Sequence, residues 1–229
     1  MLTTHLTTNY IDDLYNFLKQ VESRNTAEGD LNPYYDTKEK MKVTIGVGFN
    51  IEDVSAWLQA VSKQFGLDTT DPTLTEAQRI AEQGWYNAIS NAIQQNYFKL
   101  DGSPDSAKLQ AELDKIMYDR SNDLALADLD ASRKRAFFGF LNGGEVRDVY
   151  NSRVGSYENT LDTWLTANDI TLNNPGLLFQ DNKERMALLS LTWQGWISGT
   201  TTSPMLARAL KNDDRAEAWY EIRYNTNTE

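Results

Sequence analysis

The side chains best suited to chemistry fall within one short stretch. Glu22 closes an amphipathic pattern, Asp36 sits in Tyr34-Tyr35-Asp36-Thr37, and Thr44 opens Thr44-Ile45-Gly46-Val47-Gly48. Cleavage of a glycosidic bond needs two carboxyl groups in different protonation states. One keeps a proton for the leaving oxygen, while the other stays ionised to hold a water or to stabilise positive charge on the sugar. Apolar neighbours raise a carboxyl pKa, which favours Glu22, beside Leu18 and Val21, as the acid. Asp36, followed by Thr37 and Lys38, suits the ionised role. Thr44 lies on the small-residue side of the next strand, where Gly46 and Gly48 are expected to leave room for a bulky substrate.

Few other chemistries are open to this chain. Its 229 residues contain no cysteine, which excludes a thiol nucleophile, a disulfide scaffold and a cysteine zinc site. The single histidine, His5, argues against His-rich metal sites and a Ser-His-Asp triad. With 22 Lys and Arg against 33 Asp and Glu, the net charge is 22 − 33 = −11. That balance disfavours nucleic acid or an anionic membrane as the partner, since both call for cationic patches. A hydrophobic content of 40% supports a packed core. No apolar run approaches the roughly 18 residues of a membrane span, and residues 1–5 lack the basic and apolar regions of a signal peptide.

The elements that must position these side chains read as mainly helical α+β. Ile11, Leu14, Leu18 and Val21 recur at helical spacing over 10–22, and a turn-rich segment comes next over 25–33. Residues 40–49 alternate with period two, with Met41, Val43, Ile45, Val47 and Phe49 on one face, so a strand of a small antiparallel sheet is expected. Beyond residue 52 the pattern is helical. Thr75 with Gln78 makes a capping box opening a helix to about residue 98, and further helices are expected at 105–126, 130–142, 147–167, 181–198, 203–212 and 214–223. The segments 133–142 and 183–194 share a basic start and an apolar body, which two core helices explain as well as a repeat does. The six tryptophans are expected mostly in the core, and the acids before Arg215 at a helix start.

The run Glu22, Asp36, Thr44-Ile45-Gly46-Val47-Gly48 resembles the phage T4-type lysozyme family, the muramidases of glycoside hydrolase family 24. Its members carry a Glu at the end of the first helix, an Asp in a following hairpin and a Thr opening a Thr-Ile-Gly-x-Gly strand. A second patch is similar to the family's C-terminal lobe: Glu184-Arg185-Met186-Ala187-Leu188-Leu189 through Trp193-Gln194-Gly195, then the helices beginning near Ser203 and Asp214. The resemblance implies that Glu22 is the general acid and that Asp36 orients or activates the attacking water. Thr44 would help place that water, Gln194 would face the cleft, and Arg223 would brace the acid side. It covers roughly residues 10–60 and 181–227. The spacings are longer than the family's. Glu28, closer to Asp36, is therefore the competing acid, and Asp53 the competing second carboxylate.

The resemblance implies a single lysozyme-like domain over 1–229. Residues 1–75 would form a small lobe with a short antiparallel sheet and the catalytic residues, and 76–229 a larger helical lobe, with a cleft between them. Residues 100–180 would be a family-atypical insertion. The implied activity is hydrolysis of the β-1,4 bond between N-acetylmuramic acid and N-acetylglucosamine, with no cofactor and no metal. The rivals are a lytic transglycosylase or chitinase-like enzyme, and an inactive module that binds peptidoglycan or a partner. The expected partner is the peptidoglycan glycan strand, with an immunity or inhibitor protein as a second. A monomer or one domain of a larger polypeptide is expected, acting in the bacterial periplasm or cell wall. An acidic muramidase lacks the attraction to anionic walls that cationic lysozymes have, so delivery as a phage component or secreted antibacterial effector is expected.

Overall fold

A computed structural model describes residues 8–36, 42–52, 56–170 and 183–222. It is mainly helical with one small antiparallel sheet. The chain divides into two compact units, one made of Met1–Phe17 and Arg153–Glu229, the other of Leu18–Ser152. Among the described residues no helix is long and apolar enough to cross a membrane.

Helix α1 spans Thr8–Glu22. Leu14 and Leu18 are inaccessible, as the helical spacing requires, but Val21 is 52% exposed, so the apolar stripe ends a turn before Glu22. The sheet is formed by β1 (Asp30–Asp36), β2 (Lys42–Gly46) and β3 (Phe49–Asn50) in the order β1-β2-β3. The continuous strand expected over 40–49 is thus a hairpin, with Ile45 opposite Phe49. Alternation could not show the break, because it comes from backbone handedness: Gly46 and Gly48 have φ of 70° and 77°, a region that L side chains avoid. A Cβ on Gly46 would lie 2.4 Å from the Phe49 ring. The expectation that Gly46 makes room for substrate is corrected accordingly. Gly46 gives its space to Phe49, and both glycines make the turn.

Phe49 also anchors the core of the Leu18–Ser152 unit. Its ring stacks on Trp57 at 4.4 Å between centroids and meets Phe140 edge-on at 6.4 Å. Phe65 in turn meets Phe138 and Phe140 at 4.9 and 5.0 Å. Trp57 lies on α2 (Ala56–Gln64). Helix α3 (Glu76–Gln94) starts from the Thr75 capping box read in the sequence, with both reciprocal bonds present. Helix α4 (Ser106–Ser121) is capped by Asp105. The buried Arg120 of α4 clamps the buried Glu82 of α3 through Nε at 2.9 Å and Nη2 at 2.6 Å, and also donates to the Gly66 and Arg133 carbonyls.

The helix expected over 130–142 is absent. A 3-10 turn, Ala131–Arg133, leads instead into an irregular segment held by long-range partners. Phe140 N–H donates to Leu31 O at 2.8 Å, Phe138 N–H to Asp114, and Arg135 pairs with Glu145. A helix would use those amides internally, and the repeat weighed for 133–142 and 183–194 has no structural counterpart. Helix α5 (Gly143–Ala167) starts four residues earlier than expected, because the Asn142 side chain accepts from Gly144 N–H and Glu145 N–H.

In the unit of Met1–Phe17 and Arg153–Glu229, a buried polar knot joins α1, α5 and α6 (Lys183–Trp193). Arg185 donates to Glu158, pairs with Asp162 at 2.9 Å, and Tyr10 OH donates to Glu158 at 2.8 Å. Burial works against the Arg185 charge, yet Glu158 and Asp162 outweigh it and hold the guanidinium more strongly protonated than usual. Helix α6 stops at Trp193, short of the expected residue 198. Gly195 takes φ of 81°, and Trp196 N–H returns to Leu191 O, a glycine-closed helix end. Helices α7 (Pro204–Lys211) and α8 (Arg215–Tyr220) come next, and Asp214 caps α8 as the acid cluster suggested. Trp57, Trp164 and Trp193 are buried, whereas Trp196 and Trp219 are exposed.

Candidate active site

Directly paired residues of an antiparallel ladder share a face. The register pairs Asp30 with Gly46, Tyr34 with Thr44 and Asp36 with Lys42, and β3 places Asn50 beside Thr44. One face of the sheet therefore carries Asp30, Tyr34, Asp36, Lys42, Thr44 and Asn50. Val43, Ile45, Tyr35 and Phe49 occupy the other face and are all buried. Thr44 stands on the central strand, 6% exposed, between Tyr34 and Asn50. Asp36 is its diagonal neighbour, at about 7–8 Å between side-chain bases by ladder geometry, and is half-buried.

The Tyr34 phenol lies within the field of both aspartates. Burial pushes its pKa up, and the charges of Asp30 and Asp36 push it further, against the pull of Arg24. It thus stays protonated beside the two carboxylates. The Arg24 guanidinium lies 3.4 Å above the Tyr34 ring centroid, a stacked cation that supports the ring from the solvent side.

Glu22 is the last residue of α1 and is half-buried. The chain between Glu22 and β1 is tied down closely. Asp30, only 7% exposed, accepts Ser23 Oγ at 3.1 Å and Arg24 N–H at 2.9 Å through Oδ2, and pairs with Arg24 Nε at 3.4 Å. Asn25 Oδ1 accepts Ala27 N–H at 3.1 Å, Gly29 N–H donates to Asn25 O at 2.9 Å, and Lys19 Nζ reaches Ala27 O at 3.0 Å. Glu28 is exposed within this turn rather than at a helix end. Its backbone packs on the start of α5, where a Cβ on Gly143 would come within 3.0 Å of Glu28 O.

The sheet thus brings Asp36 and Thr44 onto one face, and Glu22 directly precedes two residues bonded to Asp30 on that same face. Gln194 belongs to the other unit and is exposed just past α6. Arg223, Asp53 and His5 lie outside the described residues. Sequence reasoning missed Asp30, Tyr34, Asn50 and Arg24. The one available signal was the period-two step from Tyr34 to Asp36, which places the tyrosine on the aspartate's face. Among the described residues no group of three or more acidic or histidine side chains is placed to hold a metal ion.

Fold and site define a mainly helical α+β protein with a polar sheet face carrying two aspartates and a threonine. Comparison of the chain with protein-family models, curated proteins and solved structures finds no match.

Proposed function

We propose that the chain is a peptidoglycan muramidase of lysozyme-like fold. The observation that supports this reading best is the placement of Asp36 and Thr44 on one sheet face, with α1 ending at Glu22 and tied to that face through Asp30. In the proposed reaction Glu22 gives its proton to the glycosidic oxygen as the bond to the N-acetylmuramic acid anomeric carbon breaks. A water held by Asp36 and the Thr44 hydroxyl attacks that carbon from the opposite side and passes its proton to Asp36, inverting the configuration. The substrate is the glycan strand of the bacterial cell wall, so the proposed site of action is the periplasm or wall.

The test is analysis of the sugar ends released from purified peptidoglycan. Hydrolysis leaves reducing N-acetylmuramic acid. Ends carrying a 1,6-anhydro bridge would mean a transglycosylase, which uses only the acid, and no new ends would mean a binding module.

A further inference from the structure

We infer that Asp30 is a positioning residue for Glu22. This rests on the muramidase reading and adds to it a residue that sets where the acid stands. Asp30 is 7% exposed, and a carboxylate so deeply buried is costly unless its oxygens are occupied. Here they are occupied by the two residues next to the acid in the chain: Ser23 Oγ at 3.1 Å, Arg24 N–H at 2.9 Å and Arg24 Nε at 3.4 Å. Asp30 also stands opposite Gly46, two residues along β2 from Thr44. The Asp30 carboxylate therefore ties the residues just after α1 to β1, the strand that pairs with the one carrying Thr44. Glu22 is the last helical residue, one peptide from Ser23, so its Cα has little freedom while Ser23 and Arg24 are bonded.

The Asp30 oxygens are already engaged by Ser23 and Arg24. The effect of Asp30 passes through geometry. A displacement of the acid by about 1 Å is enough to cost about 10²-fold in rate, with little change in how the glycan binds.

The test uses the intact chain and soluble uncrosslinked glycan strands, in a cycle of Asp30→Asn, Glu22→Gln and the double variant. Asparagine keeps the size of the side chain but turns an amide toward the Ser23 and Arg24 donors. The expected result is a fall in kcat of about 10–100-fold for Asp30→Asn with KM within about twofold, and no further fall when it is added to Glu22→Gln. Ser23→Ala, which removes the Oγ bond to Asp30 together with the Ser23–Asn25 bonds but leaves both Arg24 contacts to Asp30, should give a smaller loss with the same non-additivity, and it runs the same cycle if Asp30→Asn does not fold. Wild-type kcat in Asp30→Asn, or an equal fall in the presence and absence of Glu22, overturns the inference. Wild type that releases no ends overturns the muramidase reading and this inference with it.

Discussion

Thr44 stands directly opposite Tyr34 across the first pair of strands, and Tyr34 is 3% exposed while Thr44 is 6% exposed. The hydroxyl assigned to water positioning is thus bordered by a buried aromatic ring and not by bulk solvent. If it holds the attacking water, Thr44→Val, which keeps the shape and removes Oγ1, should lower kcat by about 10–100-fold, whereas Thr44→Ser should retain most activity. Release of reducing ends measures both. Equal activity in the valine variant would remove Thr44 from the mechanism.

Gly46 offers a test of what the glycines are for. Its φ of 70° and the 2.4 Å approach of the Phe49 ring to its Cβ position make any side chain unfavourable. Gly46→Ala should cost about 2–4 kcal/mol, from the left-handed backbone and from overpacking, read as a shift in the urea midpoint. A variant with wild-type stability that fails only on polymeric glycan would restore the reading of Gly46 as space for substrate.

The pairing of Arg120 with Glu82 is the most deeply buried ion pair of the Leu18–Ser152 unit among the described residues, with the side chains 1% and 0% exposed. Glu82→Gln leaves a buried guanidinium short of charge, and removal of one partner from such a pair costs about 3–5 kcal/mol. Urea unfolding checks this, and a loss below about 1 kcal/mol, the range of exposed pairs, would contradict it.

Acid should weaken the contact that replaces the expected helix over 130–142. Burial raises the Glu145 pKa, but bonds from Arg135 and the Leu141 amide outweigh it and hold the carboxyl below its ordinary 4.5. A depressed folded value adds stability above the unfolded value and loses it as pH falls through the folded one. The melting temperature should therefore drop as pH falls below the ordinary Glu145 value of 4.5, and the drop should be smaller in Glu145→Gln. An identical drop would assign the acid sensitivity to other carboxylates.

The range of the forces involved decides which features were legible in the sequence. The Thr75 capping box, the Asp214 cap and the Leu14 and Leu18 stripe are settled within a few residues, and all could be read. Residues 131–142 carry a helical pattern, but their amides and Arg135 find partners at Leu31, Asp114 and Glu145, which no local rule contains. The sheet face shows the same limit. Asp36 and Thr44 were identified by type and order, whereas Asp30 and Tyr34 join them only through a register interrupted by an irregularity between Asp30 and Tyr34.

If Glu22 is the proton donor, turnover depends on its carboxyl and not on that of Glu28. Purified peptidoglycan is treated with wild type, Glu22→Gln and Glu28→Gln, each shown to be folded, and reducing ends are counted. Glu22→Gln should lose about 10²–10⁴-fold in rate, while Glu28→Gln stays near wild type. Full activity in Glu22→Gln, or loss confined to Glu28→Gln, would contradict it.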